Sequence, residues 1–434
     1  MLDPGSIHDS NHRYVSDHET DFGYLGEQLT RRGINVEQVL RQIEDFEVAI
    51  PSWALGTGGT RFGRFPGGGE PRNVFEKMED IAVINQVTRS GSAVSLHIPW
   101  DEPDDPMELR EHAERLDLTF DAVNSNTFQD QPVDLSTPEA DRPRSYKFGS
   151  LCHTDPAVRE QAIAHNLHVI DVGLSLGSEA LSVWLADGSN YPGQMHLRKS
   201  FERTLESLQT IYEKLPPAWT IFTEHKPYEP AFYATVVQDW GSSLLLAQGL
   251  GERAKCLVDL GHHLPNTNIE MVVSRLVSAG KLGGFHFNDS KYGDDDLTTG
   301  SIKPFQLFLI FNELVDYAQM SDAGKPAYML DQSHNIKDPI EALIQSVCEL
   351  QRAYAKALLI DRTKLEEYQE ANDTLMAEST LKEAYETNVE SLIAEARRRG
   401  GGAIRPIACF RESGYRAVKT KERPSAAYAA PQSL

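Results

Sequence analysis

The order of apolar runs along the chain predicts an α/β fold, a (β/α)8 TIM barrel with an N-terminal helical segment and a C-terminal helical extension. Three observations carry this expectation. Eight short strand-type runs recur from Phe46 onward, each followed by a stretch with helical spacing, within about 310 residues. Charged, imidazole and indole side chains gather where those runs end. The stretch after the first run, Gly56–Gly69, holds seven glycines in fourteen residues, yet it contains neither a GxGxxG turn nor a Walker lysine. The doubly wound open sheet, the rival that also alternates strand and helix, therefore lacks its fingerprint.

Taken in order, residues 1–45 are polar and irregular, with a helix expected over Gly23–Arg32. The strand runs are Phe46–Ile50, Val94–Ile98, Phe120–Asn124, Leu181–Leu185, Thr220–Thr223, Cys256–Leu260, Gly284–Asn288 and Pro326–Leu330. Val74, Met78 and Ile81 mark one helix face between the first two. Further helices are expected over Ala157–Leu174, Leu197–Leu215, Pro230–Leu250, Asn268–Gly280 and Phe305–Tyr317. The last opens on Asp338-Pro339, an N-cap followed by proline at the first helical position, and runs to Ile360. Residues 46–360 thus form the barrel, and 361–434 a helical extension expected to make oligomer contacts. Thr363-Lys-Leu-Glu366 fits a capping box. Arg397-Arg398-Arg399 before Gly400-Gly401-Gly402 reads as favourable charge at a helix C-terminus.

Composition narrows the function. With 42 Lys plus Arg against 64 Asp plus Glu, the net charge is −22. Such a chain repels phosphate backbones and anionic lipid, so nucleic-acid and membrane partners are not expected, whereas a divalent cation suits it. The four cysteines contain no CxxC pair, which excludes a zinc ribbon and a disulfide framework and fits a reducing compartment. Met1–Ser10 has neither a basic start nor an apolar stretch. The densest apolar run, Leu307–Phe311, is far short of the roughly 20 residues of a membrane span. A cytoplasmic protein is expected.

In a (β/α)8 barrel the reactive groups sit where strands end. Strand 2 ends in His97, strand 4 in Trp184, strand 5 in Glu224-His225-Lys226, and strand 6 in Asp259 with His262. Strand 7 carries His286 and runs on to Asp294 and Asp296, and strand 8 ends in Asp331 with Ser333. Glu224, Asp259, His286 and Asp331 come from four consecutive strands and must converge in a closed barrel. Three carboxylates there repel one another unless a cation sits between them. His262, Asp294 and Asp296 can hold a second cation, with Glu224 able to bridge. Mixed carboxylate and imidazole ligands suit Mn²⁺, Mg²⁺ or Co²⁺, with Zn²⁺ also admissible. An acidic loop after strand 7 disfavours an anionic substrate and tolerates a neutral polyol. There is no HExxH, no GxSxG elbow directly after a strand run (Gly173-Leu-Ser-Leu-Gly177 closes a helical stretch instead), and no His-x-His after strand 1, which ends in Pro51-Ser52-Trp53.

Long blocks of the chain carry a resemblance. They are Pro51–Pro71, Ser95–Trp100 (SLHIPW), Asn124–Phe128 (NSNTF), Glu224–Asp239, Leu257–Met271, Gly283–Asp296 and Asp331–Asn335 (DQSHN). In these the chain resembles the L-rhamnose isomerases of the Pseudomonas type, within the xylose-isomerase-like barrels. The resemblance implies that Glu224, Asp259, His286 and Asp331 form a structural metal site, and His262, Asp294 and Asp296 a catalytic one. Two divalent cations per subunit follow, with manganese first. It makes His97 and Lys226 substrate-contacting groups and Trp184 an apolar wall, and Trp53 and Phe128 are read as substrate-binding with them. Phe62 would close the pocket of an adjacent subunit in a homotetramer. The activity implied is aldose–ketose isomerisation, L-rhamnose to L-rhamnulose. There His97 relays the proton of ring opening, because imidazole titrates near neutrality, Lys226 holds a substrate oxygen, and Asp331 beside Ser333 is the candidate base. The stretch Gln131–Arg142 departs from the pattern, longer and richer in proline, and bears on sugar preference. The rivals are a ketose 3-epimerase, which needs one metal flanked by two glutamates, and a non-catalytic sugar-binding barrel.

Overall fold

Short apolar runs flanked by capped amphipathic helices close on themselves here. In this computed structural model, which describes residues 1–56, 68–130, 136–139, 142–229, 231–320, 324–333 and 336–424, eight parallel strands form a closed barrel. They are β1 (Ala49–Pro51), β2 (Ala93–Ile98), β3 (Thr119–Ser125), β4 (Ala180–Trp184), β5 (Thr220–Glu224), β6 (Ala254–Asp259), β7 (Leu282–Phe287) and β8 (Ala327–Leu330). Closure runs through Ala49, which pairs with Ala93 of β2 on one side and Met329 of β8 on the other. The (β/α)8 barrel expected from the alternation is the observed fold. The first strand begins three residues later than its apolar run, because Phe46 packs on Phe311, Tyr328 and Tyr354 outside the sheet.

The helices around the barrel are α3 (Val74–Thr88), α4 (Pro106–Arg115), α5 (Pro156–Leu176), α6 (Leu197–Lys214), α7 (Trp240–Leu250), α8 (Ile269–Ser278), α9 (Pro304–Tyr317) and α10 (Pro339–Leu358), after α1 (Pro4–Arg31) and α2 (Val36–Glu44). Helix α4 escaped the periodicity reading, since its mean character is polar and only Leu109 and Ala113 are buried. Its signal was nevertheless present. Asp105 caps it, with proline next in line, as Asp155-Pro156 and Asp338-Pro339 do for α5 and α10. Helix α7 starts at Trp240 instead of Pro230, because Asp239 caps Ser242 N and residues 234–235 pair with 188–189 in a small antiparallel ladder.

The extension comprises α11 (Arg362–Glu370), α12 (Thr374–Glu386), α13 (Glu390–Arg399), α14 (Pro406–Glu412) and α15 (Tyr415–Glu422). The cap of α11 is Asp361, whose side chain accepts from Lys364 N, so the Thr363–Glu366 capping box is not used. Within one chain, α13 and α14 pack on the long α1. Asn11 binds Gly402 O and Ile404 N, and His18 lies 2.8 Å from buried Glu395. These long-range contacts explain why a mostly polar stretch of 28 residues is helical where the sequence predicts a helix over Gly23–Arg32 alone. Arg397 is buried and donates to Gln351, Ala403 O and Ile404 O, a packing role beyond the helix-end charge read from its sequence.

Alternation along the strands separates two environments. The main core fills the space between sheet and helices. A smaller cluster holds Ala49, Ala122, Phe222, Leu257 and Met329. Phe222, Leu257 and Met329 each stand two residues before Glu224, Asp259 and Asp331, so the pleat puts them on the same inward face, one layer below. Among the described residues, no helix is long and apolar enough to cross a membrane. The four cysteines are free thiols.

Candidate metal centre

Strand register brings the polar ends together. Asp259 stands opposite His286, His286 opposite Met329, and Trp184 opposite Glu224. The ligand atoms of Glu224, Asp259, His286 and Asp331 all lie within 4.8 Å of one another. His286 Nδ1 sits at the centre, 3.2 Å from Glu224, 3.5 Å from Asp331 and 3.8 Å from Asp259. A second group, equally tight, is Asp259, His262 and Asp294. His262 reaches Glu224 through Nδ1 at 3.0 Å and Asp294 through Nε2 at 3.1 Å.

The two groups therefore meet at Asp259, with Glu224 touching both, whereas sequence pointed to Glu224 alone as the bridge. Asp296 stands apart from the second group, accepting a 2.8 Å hydrogen bond from Ser333 while lining the same cavity. The three successive aspartates divide by geometry. Asp294 and Asp296 adopt left-handed backbone, φ 48° and 49°, which aspartate tolerates better than most residues. Asp295 between them accepts from the backbone of Lys291, Tyr292 and Gly293 and shapes the loop.

The electrostatics are those of a cation site. Burial alone would depress His286, yet Glu224, Asp331 and Asp259 around it raise its pKa to about 9. His262 is likewise lifted well above its ordinary value against burial, by Asp259 and Asp294. Burial pushes Asp259 up to about 7, assisted by Asp331 and Glu224 and opposed by His262 and His286. Burial also raises Asp331, while Glu224 is held low by His286 and His262 despite its burial. Positive charge is thus favoured at the centre of the cluster, where the His286 and His262 imidazoles carry it in the free chain.

One carboxylate tests whether a cation fits. Asp259 has no exposed surface. Its Oδ1 accepts from Gly261 N, His262 N and Asn288 Nδ2, at 2.7, 3.2 and 2.9 Å, while its Oδ2 is buried with no hydrogen-bond partner. A side chain aimed by three donors on one oxygen, with the other left to the cluster, suits a divalent cation. Gly261 allows this close approach: a Cβ there would stand 3.2–3.3 Å from Asn288, Asp294 and Asp259, which would have to give way by a few tenths of an ångström.

Above the carboxylates is a cavity of about 540 Å³ walled by Trp53, His97, Phe128, Trp184 and Lys226. Trp53 Nε1 donates to Asp331 Oδ1 at 2.8 Å. Lys226 Nζ sits 4.8 Å over the Trp184 ring and pairs with Asp294 and, at 3.3 Å, with Glu229. The His97 ring stacks on Trp100 at 4.3 Å and meets Trp53 and Phe128 edge-on. Burial depresses its pKa to about 3, so the ring is neutral at neutral pH and does not titrate there as its residue type suggested. Phe62 lies outside the described residues.

Sequence reasoning missed the supports. Asn288 aims Asp259, and buried Asp101 joins Lys77, Ser52 and the His97 backbone, tying α3 and the turn bearing Trp53 to β2. Asp289 accepts from Ile302 N and Lys303 N and fixes the far end of the acidic loop. Polar residues within a run of buried positions were the available signal; their partners, up to 49 residues away, were not.

A "Probable sugar isomerase" of Mesorhizobium japonicum is 58% identical over 411 residues, 94% of this chain and 93% of that protein. The chain belongs to this sugar isomerase family. A second member, a "Probable sugar isomerase" of Rhizobium meliloti, is 58% identical over 408 residues, again 94% and 93% of the two chains. At lower identity the chain is similar to the xylose isomerase of Thermus thermophilus, 26% identical over 340 residues, 73% of this chain and 79% of that protein. In fold the chain is similar to an L-ribulose 3-epimerase structure, TM-score 0.52 at 13% identity, covering 73% of this chain and 98% of that one. No family model matches.

Proposed function

We propose that this protein is a metal-dependent aldose–ketose isomerase that converts L-rhamnose to L-rhamnulose. The observation that carries the reading is the pair of carboxylate–imidazole groups meeting at Asp259 on the floor of a cavity walled by indole rings. Membership of the sugar isomerase family supports the reaction class. Glu224, Asp259, His286 and Asp331 would hold one divalent cation, and His262, Asp294 and Asp259, with Asp296 nearby, a second. When bound, such ions, manganese before cobalt, magnesium or zinc, supply Lewis-acid polarisation of adjacent sugar oxygens.

The chain's own groups do the rest. Trp53, Trp184 and Phe128 offer flat apolar walls to the C–H faces of a sugar and exclude water. His97, kept neutral by burial, presents a ring nitrogen as a hydrogen-bond partner to the anomeric hydroxyl and orients it for ring opening. Lys226, paired with Asp294 and Glu229, donates to a substrate oxygen. Asp331, aimed by Trp53, is placed to take a proton if C2 hydrogen leaves as one, and Ser333 holds Asp296 against the cavity. An epimerase needs a second glutamate facing Glu224 across the sugar; the cavity's other glutamate, Glu229, is paired with Lys226. A homotetramer with Phe62 closing a neighbour's pocket, in the cytoplasm, belongs to the same proposal.

The test is a ketose assay on a panel of aldoses, with and without Mn²⁺ after chelation. Manganese-dependent ketose formation, fastest from L-rhamnose, is expected. Turnover that survives exhaustive chelation, or conversion of ketose to ketose alone, overturns the proposal.

A further inference from the structure

Two connections at the barrel mouth begin at site residues. One leaves β1 through Trp53 and returns at Gly68-Gly69. The other leaves β8 through Asp331 and Ser333 and ends at Asp338, the cap of α10. Their near ends are joined by the hydrogen bond from Trp53 to Asp331. Their far ends are joined by a residue more than 75 positions further along the chain, on α15.

Arg416 uses all three nitrogens of its guanidinium for this. Nε and one terminal nitrogen grip both oxygens of Asp338, at 2.6 and 2.9 Å, and the other terminal nitrogen donates to Gly69 O at 3.0 Å. The planar fork fits a carboxylate bidentately and leaves one donor over, which a lysine cannot reproduce. Gly69 is docked tightly: its φ is +80°, its N–H donates to Arg423 O, and a Cβ would stand 2.9 Å from Thr420 N. Arg423, itself 2% exposed, fastens the end of α15 to Asp80 and Glu79 of α3, and Tyr415 Oη donates to Asp80 at 2.7 Å. The helix is therefore a fixed bracket, and Arg416 is its reach toward the mouth.

We propose that Arg416 is a positioning residue for the isomerase site, holding the far ends of the Trp53 and Asp331 connections in register. This rests on the isomerase reading, and it adds a part of the C-terminal extension to the machinery that shapes the sugar pocket. Arg416→Met leaves the bracket in place but removes its grip on Asp338 and Gly69, and Arg416→Lys keeps the charge toward Asp338 while losing the fork. Asp338→Asn keeps a competent cap for α10 and removes the carboxylate. Arg411→Met, which breaks an exposed pair with Glu341, is the control.

The experiment measures hydrogen–deuterium exchange of the full chain alongside steady-state kinetics. In Arg416→Met, faster exchange is expected at both 68–73 and 331–338, with kcat/KM about tenfold lower, mostly through KM. Arg416→Lys should fall between it and the parent, and Asp338→Asn should add nothing to Arg416→Met. Exchange raised only within α15, or kinetics matching the Arg411→Met control, overturns the proposal. A parent protein that converts no aldose would remove the isomerase reading alone, and the exchange pattern would still decide whether Arg416 couples the two connections.

Discussion

Asp259→Asn should move two measurements in opposite directions. In the free chain Asp259 is a fully buried carboxylate with one oxygen satisfied three times and the other not at all, facing Glu224 and Asp331. An asparagine keeps an acceptor for Gly261 N and His262 N and turns an NH₂ toward the neighbouring carboxylates, replacing repulsion by hydrogen bonds. Relief of one unsatisfied buried polar atom is worth about 1–3 kcal/mol, so the chelated variant should unfold a few degrees above the chelated parent. The same change removes a carboxylate oxygen from the residue common to both ligand groups. The parent should gain ~4 kcal/mol from a cation at a thousand times its dissociation constant, and the variant should gain almost none. Differential scanning calorimetry with chelator and then with Mn²⁺ reads both effects. A variant less stable than the parent under chelation, or one that keeps the manganese-induced rise, would refute the reasoning.

His262→Asn and Asp294→Asn should each cut turnover by about 10³-fold or more, the scale of losing a group that stabilises developing charge, with far-UV circular dichroism unchanged. Trp53→Phe keeps the wall but removes the donor to Asp331; loss of one hydrogen bond to a charged group, about 1.5–3 kcal/mol, predicts kcat/KM lower by about 10–100-fold. An unaltered value would mean that Asp331 needs no aiming. Glu395 carries a pH prediction. Burial would raise its pKa, but bonds from Arg398, His18 and Arg399 hold it down at about 2. Its contribution, ~3 kcal/mol, is present above its ordinary 4.5 and lost as pH falls toward 2. Glu395→Gln should thus cost most at pH 7, with the gap to the parent closing in acid; a gap constant in urea titrations from pH 7 to pH 3 would contradict this.

Local pattern determined much of this protein. Runs of alternating burial with capped helices between them define a barrel, and because the pleat has period two and every strand ends at the same mouth, Glu224, Asp259, His286 and Asp331 could be brought together from spacing alone. The Asp-Pro caps of α4, α5 and α10 are local chemistry of the same kind, and in α4, where only Leu109 and Ala113 are buried, the cap is the stronger signal. What depended on contacts distant in the chain was decided only by the tertiary structure. The bridging carboxylate is set by which oxygen Asn288 and two backbone amides occupy, the inward turn of Asp294 and Asp296 by left-handed backbone around Asp295, and the neutrality of His97 by burial among aromatic rings from three connections. Helix α1 forms because α13 and α14 cover it, and Arg416 reaches the mouth because α15 is pinned to α3. A side chain's type and period belong to its neighbours in sequence; its protonation, aim and partners belong to its neighbours in space.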